Sequence, residues 1–189
     1  MGYKVAVGVS NKHVHLSDGD LAKLFGAGHK LTVKKELKQP AQFAAEETVD
    51  ITGPKGTLKG IRVLGPTRKE SQVELAATDA RGIGLDLPVR ESGVLDGSPG
   101  VKLTGPAGEA NLAKGAIMAL RHIHLSPAQA QEAGVKDKQW VTVKTFGERS
   151  LIFENVLIRA GDAHTSEVHF DTDEANAAGI KNGDLVEIR

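Results

Sequence analysis

Two short segments of this 189-residue chain read alike: Lys12-His13-Val14-His15-Leu16-Ser17 and Arg121-His122-Ile123-His124-Leu125-Ser126. In an extended segment, side chains two apart project to the same side, so His13 with His15, and His122 with His124, can each direct two imidazoles at one point. That arrangement suits a metal ion. A lone His-x-His is a weak signal, since two unrelated surface histidines produce it as readily. Repetition makes it informative: five of the seven histidines fall in duplicated positions.

A third residue completes each set. Gln72-Val73-Glu74-Leu75, followed by Thr78-Asp79-Ala80, matches Glu167-Val168-His169-Phe170, followed by Thr172-Asp173-Glu174-Ala175. Glu74 and His169 therefore hold the same place in the two halves. The sets become His13, His15 and Glu74, and His122, His124 and His169. Three protein ligands with an open position are how catalytic zinc is held, whereas structural zinc is usually closed by four, often cysteines. Iron in a set of two histidines and one carboxylate is the metal alternative. An open zinc can bind a thiolate, polarise a carbonyl or carry a nucleophilic oxygen. The carboxylate lowers the charge of the first set, which suits a departing thiolate; the all-histidine set keeps its charge for an oxyanion.

Basic residues supply the anion side. Gly65-Pro66-Thr67-Arg68-Lys69 is a turn that carries a guanidinium six residues before Glu74. It could bind phosphate bidentately, or be a solvated turn arginine. Lys35, Arg62, Arg90 and Arg121 are further cations. Asp171, Asp173 and Glu174 read first as a capped helix start, with an outer role around a metal as the alternative. His29 and His164 have no counterpart in the other half and read as ordinary polar residues.

The elements that must position these residues follow the same repeat. Each His pair is followed by a helix-start signal: Ser17 with Asp20, and Ser126 with Pro127 and Gln129. The helices are expected to end at 26–28 and at Gly134, before strand-like runs at 30–37 and 139–146. Further alternating runs at 5–9, 57–64, 73–75, 141–143, 151–158 and 185–188 read as short strands. From the second histidine to the third ligand is 59 positions in the first half (15 to 74) and 45 in the second (124 to 169). The extra piece is expected around 42–55. The Gly-, Ser- and Pro-rich stretch 92–108 reads as the connection. The resulting fold expectation is mainly β: two small β-barrel domains related by duplication, 1–98 and 99–189, each capped by short helices. The strand at 5–9 could complete the other half's barrel.

Composition narrows the function. Lys plus Arg and Asp plus Glu both number 24, so no general field favours a nucleic acid. The chain has no cysteine, which excludes disulfides, a thiolate nucleophile and Cys-ligated metal. No stretch approaches the ~18 apolar residues of a membrane helix. A cytoplasmic protein that binds neither nucleic acid nor membrane is the expectation.

These residues resemble those of the PduL-type phosphate acyltransferases, also called phosphate propanoyltransferases. The match runs over nearly the whole chain. It is carried by His-x-His-Leu-Ser at 13–17, Leu24-Phe25-Gly26, Gln42-Phe43-Ala44, Gly65-Pro66-Thr67-Arg68, Gln72-Val73-Glu74, Pro88-Val89-Arg90-Glu91-Ser92-Gly93, Arg121-His122-Ile123-His124, and His169 with Asp171-Thr172-Asp173-Glu174-Ala175. The resemblance implies two barrels, a homodimer and two zinc ions per chain. His13, His15 and Glu74 would hold the zinc that takes the CoA sulfur, and His122, His124 and His169 the other. Arg68 would contact phosphate, and Ser10, Lys35, Arg62, Leu64 and Asn176 would contact CoA. The reaction implied is acyl-CoA plus phosphate giving acyl phosphate plus CoA, with acetyl or propanoyl as the acyl group. Lys12 departs from the arginine more common in the family. Relatives in bacterial microcompartments tend to carry an amphipathic extension before the first His pair; twelve residues precede His13 here, so a free enzyme is expected. The ligand sets alone would equally allow a dinuclear zinc hydrolase, or a metal-binding barrel module without catalysis.

Overall fold

The computed structural model describes residues 2–189. Its elements, in chain order, are β1 (Lys4–Ser10), β2 (His13–His15), α1 (Asp18–Phe25), β3 (Val33–Glu36), β4 (Phe43–Gly53), β5 (Gly56–Gly65), β6 (Gln72–Glu74), α2 (Ala77–Gly82), β7 (Val89–Arg90), β8 (Val101–Thr104), β9 (Glu109–Leu112), β10 (Ala116–Ala119), β11 (His122–Leu125), α3 (Pro127–Ala133), β12 (Trp140–Lys144), β13 (Ile152–Ala160), β14 (Glu167–Asp171), α4 (Thr172–Ala178) and β15 (Leu185–Ile188). The protein is mainly β, with four short helices among the described residues.

Two compact units form. The first takes the residues up to Asn11, Lys38–Pro40 and Leu120–Arg189; the second takes Lys12–Leu37 and Ala41–Ala119. Each half's leading strand belongs to the other half's unit: β1 runs into β2, and β10 runs into β11, across a change of unit.

The first unit is a closed barrel in the order β1-β14-β11-β13-β12-β15. Its core gathers alternate residues of these strands, among them Val5, Val7, Ile123, Leu125, Val143, Ile158, Val168, Phe170 and Val186. Phe170 and Phe153 meet with ring centroids 4.5 Å apart. Truncating a phenylalanine buried like Phe170 would cost about 3–5 kcal/mol.

The second unit is a curled sheet in the order β7-β10-β6-β2-β5-β4-β8-β9, with β3 paired to β4. Pairing repeats strand for strand. β11 lies parallel to β13 and antiparallel to β14, as β2 lies parallel to β5 and antiparallel to β6. β1 runs parallel to β14, as β10 does to β6. The barrel closes where β1 pairs β15. Among the described residues the matching strands β10 and β8 form no ladder, although Ala116 N–H donates to Pro99 C=O (3.0 Å). The second unit therefore stays open at that seam.

Two local expectations are corrected. Residues 42–55 are not the insertion, because β4 pairs with β5 along most of its length and with β8. The added length lies before it: 17 residues (26–42) separate α1 from β4, against six (134–139) between α3 and β12. Nor is 92–108 all connection, because Val101–Thr104 is strand β8, paired with β4 and β9.

The helices begin as their caps dictate. Ser17 Oγ accepts from Asp20 N–H (3.1 Å). Ser126 with Gln129, and Asp171 with Glu174, form reciprocal capping boxes. Gly134 closes α3 with φ 69°, a left-handed position that glycine adopts without strain.

Burial and the neighbouring Asp171 carboxylate push Glu174 up to about 7. Its folded form thus holds a proton more tightly than the unfolded chain. The stability this contributes is complete below the ordinary carboxylate range and is lost as pH rises through about 7, by roughly 3 kcal/mol at most. Glu174→Gln keeps the cap acceptor without the charge. Thermal unfolding should find this variant more stable than wild type at pH 8 and nearly equal at pH 5.

Candidate metal centres and the basic residues beside them

The strand that carries each His pair is buried throughout, and its side chains alternate in face. Val14 and Ile123 are fully buried in the cores, which turns His13 and His15, and His122 and His124, to the opposite face. Register then supplies the third residue. His13 stands opposite Glu74 across β2 and β6, and His122 opposite His169 across β11 and β14. In each set, one ligand-type atom per residue comes within 4.8 Å of the others. His13, His15, Glu74, His122 and His124 are buried, and His169 is partly exposed.

In the first cluster, His13 Nε2 lies 3.4 Å from Glu74 Oε2, and His15 Nε2 lies 3.9 Å from Glu74 Oε1. Burial, then His13 and Arg68, holds His15 well below the usual imidazole range. Burial alone would raise Glu74, but His13, His15 and Arg68 outweigh it and hold the carboxyl well below its usual range. The cluster therefore presents a neutral ring and a carboxylate. Among the described residues, His15 Nδ1 is the buried side-chain atom with no hydrogen-bond partner. The nitrogen of this ring turned toward Glu74 is the other one, Nε2, so the donor set offered at the first cluster is two imidazole nitrogens and a carboxylate.

In the second cluster, His122 Nδ1–H donates to Leu120 C=O (2.8 Å), which leaves the lone pair of a neutral ring on Nε2. That Nε2 lies 3.0 Å from His124 Nε2. Two nitrogens this close need a proton or a cation between them. Burial, then His122, His169 and His164, holds His124 far below the usual range, so the ring is neutral. Both donor sets fit a divalent ion with coordination positions left over.

Arg68 follows β5, where its N–H donates to Leu16 C=O (2.9 Å). Its guanidinium Nη1 donates to Ser92 Oγ (3.1 Å), and Ser92 Oγ–H reaches Glu74 Oε1 (3.1 Å). Ser92 thus ties the arginine to the carboxylate. The five residues considered for CoA fall in two places. Lys35, Arg62 and Leu64 lie on β3 and β5 of the second unit, where Arg62 Nη1 donates to Ala45 C=O (3.0 Å) and Glu46 C=O (2.8 Å). Ser10 ends β1 opposite Asp171 of β14, and Asn176 is exposed on α4. Arg90 lies on β7, and Arg121 Nε approaches Glu174 Oε1 at 3.4 Å.

Sequence reasoning missed some neighbours. His164 Nδ1 lies 3.1 Å from His124 Nδ1, although no repeat position marks it. Glu167 Oε2 lies 2.8 Å from His169 Nε2. Its signal was available, since alignment of the halves sets it against Gln72. His29 pairs with Glu47 (2.8 Å), in keeping with an ordinary polar role. Among the described residues no helix is long and apolar enough to cross a membrane.

The family profile described as phosphate propanoyltransferase matches residues 6–181. A phosphate propanoyltransferase of Thermotoga maritima is 55% identical over 185 residues, covering 97% of this chain and 88% of that protein. The one from Rhodopseudomonas palustris is 48% identical, covering 98% and 82%. That of Salmonella typhimurium is 50% identical, covering 94% and 85%.

If the two clusters are independent ligand sets, metal analysis should find two divalent ions per chain in protein loaded with zinc. His15→Ala and His124→Ala should each retain one.

Proposed function

The chain belongs to the phosphate propanoyltransferase family, and on that premise we propose that it transfers a short acyl group, acetyl or propanoyl, reversibly between CoA and phosphate, using two zinc ions per chain. The observation that carries this reading is the first cluster with its arginine: an open two-histidine, one-carboxylate set connected through Ser92 to Arg68. His13, His15 and Glu74 would hold one ion, and His122, His124 and His169 the other.

In the forward direction a phosphate oxygen attacks the thioester carbonyl carbon, the carbon–sulfur bond breaks, and CoA leaves as a thiolate. Bound zinc would supply Lewis acidity toward the carbonyl and a soft partner for sulfur. Arg68 binds and orients phosphate with parallel N–H donors, which turns a bimolecular encounter into a positioned one. Ser92 fixes the guanidinium. Glu74, kept ionised, lowers the charge of its own cluster relative to the all-histidine cluster, so that the first favours release of sulfur. No side chain need become acylated, in keeping with the absence of cysteine. Ser10, Lys35, Arg62, Leu64 and Asn176 would contact CoA. A homodimer, a cytoplasmic setting and a division into functional halves at 98/99 belong to the same proposal.

The test is thiol release from acetyl- and propanoyl-CoA, with and without phosphate. The reading expects release that requires phosphate, is stopped by a chelator and yields acyl phosphate; free acid as sole product would refute it. Arg68→Ala should lose roughly 10²-fold in phosphate-dependent turnover while retaining both ions.

A further inference from the structure

The residue two positions before each third ligand is also paired across the ladder. Gln72 stands opposite His15, and Glu167 opposite His124. Each touches the third ligand of its own cluster, with opposite hydrogen-bond sense. The Gln72 amide donates to Glu74 Oε1, whereas Glu167 accepts from His169 Nε2–H (2.8 Å). A carboxylate ligand needs a donor beside it and an imidazole ligand needs an acceptor. The two halves meet these requirements with the same position. A neutral His169 that donates from Nε2 carries its lone pair on Nδ1, the nitrogen left for an ion.

Both residues are themselves held. Gln72 is almost wholly buried, and its Oε1 accepts from Gly93 N–H (2.8 Å). Glu167 is reached by Gln39 Nε2 (3.4 Å) and by Lys38 Nζ (3.9 Å). Gln39 is 3% exposed, and its amide pairs with both backbone groups of Thr165, donating to the C=O (3.0 Å) and accepting from the N–H (3.3 Å). Lys38–Pro40 is a three-residue excursion within the length by which the first half exceeds the second, and it packs in the unit that holds His169. Gly8, opposite His169 on β1, leaves the room. A Cβ there would come within 2.8 Å of Glu167 Cδ and 3.0 Å of His169 Cδ2.

We propose that Gln72 and Glu167 are matched positioning residues, one per metal cluster, and that Gln39 sets Glu167 so that His169 is presented as a ligand in one fixed orientation. The inference rests on the two-metal reading above. Outer partners of this kind hold ring orientation and ligand basicity, and losing one weakens metal binding by about 10–100-fold.

The experiment follows zinc release from the fully loaded protein to a chromogenic chelator. His15→Ala and His124→Ala assign the two release phases to their clusters. Glu167→Leu should hasten only the second-cluster phase, by about 10–100-fold. Glu167→Gln, which keeps an acceptor oxygen, should fall between that variant and wild type, and Gln39→Ala should hasten the same phase. Gln72→Leu should hasten only the first. The unaffected phase reports that each variant is folded. Should Glu167→Leu fail to fold, Glu167→Gln and Gln39→Ala decide the matter. Unchanged release of both ions, or equal acceleration of both, overturns the inference. Wild-type protein that takes up no divalent ion removes the two-metal reading itself and is told apart by that loading step.

Discussion

The site depends on a register. A strand with histidines at i and i+2 lies antiparallel to a strand whose third ligand stands opposite the first histidine, His13 to Glu74 and His122 to His169. Because side chains alternate along a strand, a slip of one residue on either partner would turn the ligands into the core and the core residues outward. The apolar residue between the histidines prevents that slip. Val14 and Ile123 are fully buried, and the cost of exposing them fixes which face the imidazoles occupy. Hydrophobic packing on one side thus enforces the geometry of each triad on the other.

Burial then settles protonation. Rings as enclosed as His15 and His124 resist a positive charge, so they stay neutral where exposed histidines would titrate. Glu74 goes the other way, held ionised against its own desolvation by His13 first and by Arg68. A neutral His15, a neutral His124 and an ionised Glu74 are in the states in which such groups bind metal. The connection from Arg68 through Ser92 to Glu74 couples a guanidinium to that cluster by direct hydrogen bonds.

Much of this was legible in the sequence, because the duplication compares the chain with itself. The six ligand-type residues, the capped helices after each His pair and the mainly β character all follow from local rules of period two and helix capping. What escaped lacks a repeat partner or depends on long-range pairing. His164 sits beside His124 only because the segment after β13 returns there, and nothing near position 164 announces it. The insertion expected around 42–55 lies elsewhere, because alternate burial along β4 makes that stretch integral to the sheet. The extra residues precede it, where Lys38 and Gln39 reach Glu167, a contact 128 or more positions away that no local pattern encodes. Strand β10 likewise pairs back to β6 although it leads directly into β11.

The central claim is that two triads, each assembled by cross-strand register, grip a divalent ion apiece. Anomalous diffraction from crystals of the zinc-loaded protein, collected on both sides of the zinc absorption edge, tests it most directly. Two edge-dependent peaks per chain are expected, one bounded by His13, His15 and Glu74 and the other by His122, His124 and His169. A map of active protein with no such peak at either triad would contradict the account.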